Sequence, residues 1–237
     1  MKLDVLAFGA HRDDIELTCA GTMIKLVDQG YKIGIIDLTA GEMGTRGIVE
    51  ERAKEAEESV KILKALCREN LEIPDANIEI NDENKLKVIK VIRKYRPKII
   101  FLPYWEDRHP DHAHASQLVF ESAFLSGLAK LNSEQPRHRP EKLIYYMCHY
   151  QFEPSFVVDV TEQHERKMTA IHCYKSQIYN PNYQGEQTYI SSPEYIDLIE
   201  IRSRYYGGLI GKKYGEPFLV RDMLQIKDVM TLTQERI

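Results

Sequence analysis

The chain has no Cys-x-x-Cys pair, no excess of positive charge and no Gly-x-Gly-x-x-Gly turn. It also has no apolar run near the roughly 20 residues that span a bilayer. Each absence removes a class of function. Its four cysteines, Cys19, Cys67, Cys148 and Cys173, are widely scattered, which suits buried reduced thiols rather than a disulfide framework. Met1-Lys2-Leu3-Asp4 does not open a secretory leader, because Asp4 and His11 interrupt the apolar run. A net charge of -4 argues against a general partner of nucleic acid or anionic membrane, which would need basic excess. A cytoplasmic protein with neither partner is expected. No repeat, low-complexity tract or composition break divides the 237 residues, so one domain over 1–237 is expected, long enough to bury a large core.

Strand-like and helix-like stretches alternate along the chain. Apolar runs at 3–8, 32–38, 98–102, 142–147 and 156–160 read as strands, with a short strand end at 71–74. Helical spacing covers 15–29, 49–67, 83–95, 110–129, 161–173 and 194–206. Gly30 is placed to end the first helix, Pro110 to open the fourth, and Gly207-Gly208 to end the last. Residues 132–139 read as a surface loop and 174–192 as a long ordered loop. This alternation predicts an α/β fold with a doubly wound, mostly parallel, Rossmann-like sheet.

Two strands end in chemistry. After 3–8 come Gly9, Ala10, His11, Arg12, Asp13 and Asp14; after 98–102 comes His109-Pro110-Asp111-His112. Ligands of such sheets bind outside the carboxyl ends of the strands, and mixed imidazole and carboxylate donors suit a divalent metal. Either cluster alone could be a capped helix start; the conjunction points to one shared ion. His11, Asp14 and His112 would supply three ligands and leave a position for water. Of the adjacent carboxylates, one can bind the ion while the other faces that water and accepts its proton. The arrangement requires the imidazoles of residues 11 and 112 to lie within about 5 Å of each other.

The same stretches resemble the LmbE/PIG-L family of zinc-dependent N-acetylglucosamine deacetylases, over nearly the whole chain. Asp107-Arg108-His109-Pro110-Asp111-His112, Tyr174-Lys175-Ser176-Gln177 and Tyr195-Ile196-Asp197 leading to Tyr206-Gly207 resemble in particular its bacillithiol-biosynthesis members. Those remove acetyl from N-acetylglucosaminyl malate. The resemblance implies metal ligation by His11, Asp14 and His112, with Asp13 as general base. It makes His109 the oxyanion stabiliser and acid toward the leaving amine, Asp111 the group orienting His109, and Arg52 a sugar-binding residue. It also implies Zn2+, with Fe2+ able to use the same shell, and a homo-oligomer such as a hexamer. Arg12 stands where the family often has proline; the position supplies no ligand, but the turn loses rigidity, and Arg12 could reach the pocket rim.

Arg108 flanks the second cluster and is a candidate for the malyl carboxylate, since arginine binds carboxylates bidentately. Arg46 is a weaker candidate, expected to be solvated. Tyr195 is a candidate near the oxyanion, the alternative being packing. His114, His138, His149, His164 and His172 carry no paired motif and are expected to be structural or exposed. Lys175, Ser176 and Gln177 could shape the pocket wall, and 174–192 could meet another subunit. Three other functions stay open. A nucleotide-binding oxidoreductase is disfavoured, because carboxylates in the first turn would repel a pyrophosphate. A metallohydrolase of another substrate class remains, because fold and metal do not fix substrate. A non-enzymatic metal-binding module would show a closed coordination shell.

Overall fold

Val5–Gly9 (β1) and Ile33–Asp37 (β2) are buried along their whole length, as strands covered on both faces must be. In the computed structural model, which describes residues 1–131 and 133–232, they pair in parallel, with Val5 opposite Ile33 and Gly9 opposite Asp37. Cys67–Asn70 (β3) extends the sheet beyond β2. Ile99–Pro103 (β4) and Lys142–Tyr146 (β5) extend it beyond β1, still in parallel. Phe156–Asp159 (β6) forms the far edge, joined through the antiparallel Gly215–Leu219 (β7). The order β3-β2-β1-β4-β5-β7-β6 is the doubly wound, mostly parallel α/β arrangement expected.

The strands send alternate side chains to opposite faces, and two cores result. Leu6 and Phe8 pack with Ile36 and Leu102 beneath Asp82–Tyr95 (α4) and Pro110–Leu125 (α5), through Val88, Ile92, Leu118 and Val119. Val5 and Ala7 pack with Ile33, Ile35 and Phe101 on the other face. Asp14–Thr18 (α1), Ala20–Asp28 (α2), Val49–Leu63 (α3) and His164–Ile171 (α6) cover that face, contributing Ile15, Met23, Leu63 and Ala170. Pro193–Leu209 (α7) packs near β7. No helix among the described residues is long and apolar enough to cross a membrane.

Several boundaries differ from the sequence reading. The helix expected over 15–29 breaks at Cys19. Glu216, from β7, accepts hydrogen bonds from Gly21 N (3.0 Å), Thr22 N (2.7 Å) and Thr22 Oγ1 (2.6 Å), satisfying N–H groups that the start of a helix leaves open. A Cβ on Gly21 would lie 2.9 Å from Glu216 Oε1, so only glycine admits this approach. The third strand lies at 67–70 rather than 71–74, because α3 stops at Leu63 with Lys64 in the left-handed region. The helix expected to reach 129 ends at Leu125. The helix expected to stop at Gly207 runs through it to Leu209; there the missing side chain permits close packing, since a Cβ would sit 2.6 Å from Tyr214 N. β7 itself was not anticipated, its Gly-Glu-Pro start hiding a strand that the tertiary contacts impose. Of the 132–139 loop, Asn132 lies outside the described residues.

Candidate active site

β1 and β4 are neighbours in the sheet, yet the chain leaves them toward opposite edges, so a crevice opens beyond their carboxyl ends. Both clusters fall there. One donor atom from each of His11, Asp14 and His112 lies within 4.8 Å of the other two. The ring centres of His11 and His112 stand 5.4 Å apart, slightly past the 5 Å expectation. That figure suits nitrogens better than ring centres, which lie outside the donor atoms of a shared ion. Asp14 Oδ1 is 3.2 Å from His112 Nε2 and 3.8 Å from His11 Nδ1. Its other oxygen accepts from His11 N at 3.0 Å, so the carboxylate both fixes the turn and faces the imidazoles. A Cβ on Gly9 would lie 2.8 Å from His11 O; the turn needs glycine.

Two carboxylates that the sequence did not single out orient the imidazoles. His11 Nε2 is 3.2 Å from Asp75 Oδ1, and His112 Nδ1 is 2.9 Å from Asp107 Oδ1. A carboxylate accepts only, so each ring places its N–H there and turns its other nitrogen toward Asp14. This is how metal-binding imidazoles are generally held. Contacts to His11, Met43 N and Ala76 N outweigh burial and hold the Asp75 carboxyl at about 2. Asp107 is held far below the usual range, burial being outweighed by His112, His149 and His109 N. Burial disfavours positive charge on His11, yet Asp111, Asp14 and Asp75 raise its pKa well above the ordinary value. His112 is raised likewise, against burial, by Cys148 first and then by Asp14 and Asp107. Burial pushes the Asp14 carboxyl up, but the two imidazoles hold it well down. The cluster favours a cation at its centre. The donor set and the surplus of buried carboxylates fit a divalent ion held by His11, Asp14 and His112.

Asp13 and Asp14 have different partners. Asp13 is buried, and its Oδ1 lies 3.8 Å from Arg52 Nη2. Arg52 enters from the first turn of α3, donating from Nη1 to Gly41 O at 2.8 Å. Gly41, at φ +77°, has no side chain to overlap that guanidinium. His109 accepts at Nδ1 from Asp111 N (3.3 Å), leaving its proton on Nε2. Burial, then the neighbouring His11 and His112, lower its pKa and keep it neutral. The expectation that Asp111 orients His109 is corrected: the Asp111 carboxylate accepts from Ala76 N at 2.8 Å and approaches His11 Nε2 at 3.7 Å. What Asp111 gives His109 is its backbone N–H, while its carboxylate is taken up by Ala76 N and the His11 side.

Comparison with known proteins agrees with this geometry. Residues 6–123 match the family described as PIG-L: GlcNAc-PI de-N-acetylase. The chain is 29% identical over 229 residues to the diacetylchitobiose deacetylase of Thermococcus kodakarensis, covering 90% of this chain and 80% of that protein. Among solved structures it resembles the conserved protein TT1542 of Thermus thermophilus at a TM-score of 0.86, with 35% identity over 95% of this chain and 98% of that one. This chain belongs to the PIG-L family. The N,N'-diacetylchitobiose deacetylase of Pyrococcus horikoshii, solved with its inhibitor MPG, superposes at a TM-score of 0.79, with 27% identity over 91% of this chain and 82% of that one.

Around the PIG-L cluster lies a cavity of about 400 Å³. Arg108 is exposed on its wall, its guanidinium 4.5 Å from the Tyr189 ring centre and in no ion pair among the described residues. Tyr195 lines the cavity from the start of α7, its hydroxyl pKa pushed up by burial. Arg46 is not solvated as expected: it is buried, donates to Ser176 O (2.7 Å) and Glu186 O (3.2 Å), and packs on Tyr183. Ser176 is held by Glu55, and Gln177 donates to Arg46 O, so these residues anchor the 174–192 segment as a cavity wall. Arg12 does not reach that cavity. It lines a second one with Lys61 and Arg68, and its carbonyl accepts from Arg68 and from the Tyr174 hydroxyl, which restrains the turn without proline. His149, expected to be structural or exposed, lines the cavity and bonds Asp107. The signals for Asp75 and Asp107 were faint: a lone acid after a proline, and one two residues before His109.

Proposed function

We propose that this protein is a metal-dependent amide hydrolase that removes the acetyl group from N-acetylglucosaminides. The observation that carries the reading is a shared donor set, His11, Asp14 and His112, beside the carboxylate of Asp13 in an open cavity. His11, Asp14 and His112 would hold a divalent ion, zinc or ferrous iron by its ligands, which would polarise the acetamide carbonyl and lower the pKa of a water. Asp13 accepts the proton of the attacking water, with Arg52 steadying it as the carboxylate. His109, neutral with its proton on Nε2, donates to the oxyanion, a contribution of about 3 kcal/mol per donor. Asp13 then delivers its proton to the departing nitrogen, which restores the carboxylate; the acid proton left on the released acetyl group passes to the amine, so acetate and an ammonium are the products. His109 need not become an anion at any stage.

Arg108, an exposed cation whose one partner among the described residues is the Tyr189 ring, fits a carboxylate on the group attached to the sugar. That favours N-acetylglucosaminyl malate, the bacillithiol-pathway substrate, over an uncharged disaccharide. A cytoplasmic, homo-oligomeric enzyme follows from the same reading. The test is acetate release from N-acetylglucosaminyl malate, N-acetylglucosamine and diacetylchitobiose, with and without chelator. Chelator-sensitive release, fastest on the malyl substrate, is expected. Chelator-insensitive release would sink the metal role; release only from the disaccharide would sink the malyl assignment.

A further inference from the structure

The side chain of His149 is not used by the mechanism above. It follows β5, is mostly buried, and stacks on His112 with ring centres 5.6 Å apart and planes 11° from parallel. Its Nδ1 lies 2.9 Å from Asp107 Oδ1, and its backbone N–H donates to Asp107 Oδ2 at 2.8 Å. The same Asp107 oxygen faces His112 Nδ1 and accepts from His109 N. A carboxylate so thoroughly supplied with donors can only accept. It therefore sets one tautomer for both rings, N–H on Nδ1 and a lone pair on Nε2. For His112 that lone pair turns toward Asp14. For His149 the Nε2 has no hydrogen bond among the described residues, and the ring lines the cavity beside the Tyr189–Tyr195 pair, with ring centres at 6.1 and 6.4 Å.

We propose that His149 is a specificity residue, whose Nε2 accepts a hydrogen bond from one ring hydroxyl of the sugar. The proposal rests on the deacetylase reading and adds to it how the sugar is gripped. An oriented lone pair distinguishes a sugar that carries the hydroxyl from one that lacks it. One carboxylate thus aligns the metal-side imidazole and the sugar-side imidazole together, so substrate and ion share a common rigid support.

The test pairs His149→Phe with N-acetylglucosamine and its 3-, 4- and 6-deoxy analogues. Wild-type enzyme should lose about five- to tenfold in kcat/KM on one analogue, the range of a single neutral hydrogen bond. His149→Phe should lose the same factor on the parent sugar and no longer discriminate against that analogue, with its metal content unchanged. His149→Gln, which restores a polar acceptor, should recover part of the preference and guards against misfolding of the phenylalanine variant. A variant that keeps the wild-type order of preference overturns the proposal, whether or not it loses metal. So does a wild-type enzyme indifferent to all three analogues. If wild-type enzyme releases no acetate from any N-acetyl sugar, the deacetylase reading fails first, and that result is distinct from the others.

Discussion

Two buried charge clusters flank the turn after β1, and only one of them is closed. On the α3 side, Arg68 meets Asp37 through two bonds of 2.8 Å and Glu16 through one of 2.7 Å, while Ser59 donates to Glu16 as well. Its fixed charges come from one arginine and two acids, and burial raises the Glu16 pKa. On the cavity side, Asp13, Asp14, Asp75, Asp107 and Asp111 gather around imidazoles, and Arg52 is the guanidinium among them, 3.8 Å from Asp13. The first cluster has its cation built into the chain. The second has a larger surplus of carboxylate, which is the condition for binding a cation from outside. Burial of charge alone does not distinguish structure from chemistry; the balance of charge does.

That contrast can be broken most sharply at Asp13. Asp13→Ala should cut turnover by about 10²–10⁴-fold, the usual contribution of a general base, with bound metal still near stoichiometric by elemental analysis. Retained activity would remove Asp13 from its role. In the closed cluster, Arg68→Ala should destabilise by about 3–5 kcal/mol by leaving Asp37 and Glu16 uncompensated, read from the denaturant midpoint. Activity per folded molecule should be nearly kept, and an unchanged midpoint would refute the distinction. Asp107→Asn should weaken metal affinity by about 10–100-fold in chelator competition. Affinity in wild type should fall with falling pH, because protons compete for His11 and His112, whose pKa values are raised. The smallest effect is expected at the rim. Arg108→Ala should lower kcat/KM for the malyl substrate by about tenfold and leave plain N-acetylglucosamine nearly unaffected; equal losses would defeat the pairing.

The first strand-turn motif and the second were legible because each follows a buried strand directly, and local order places both at the same end of a parallel sheet. His11, Asp14 and His112 could be named for that reason. Asp75 and His149 could not, since each is a single residue on a connection after a different strand, without a partner nearby in sequence. For Asp111, proximity in sequence to His109 suggested a carboxylate contact, whereas the fold uses its backbone N–H there and turns the carboxylate to Ala76 N. The break at Cys19 had the same origin: its cause, Glu216, is nearly 200 residues away.

Sequence alone determined the α/β class, the crevice end of the sheet and the gathering of His11, Asp14 and His112 there, because hydrophobic periodicity and strand-end chemistry act over a few residues. Tertiary structure decided which carboxylates orient which imidazoles, where the arginines point and how the 174–192 segment walls the cavity. Those outcomes depend on hydrogen bonds and charge balance between groups that only the folded chain brings within about 3 Å.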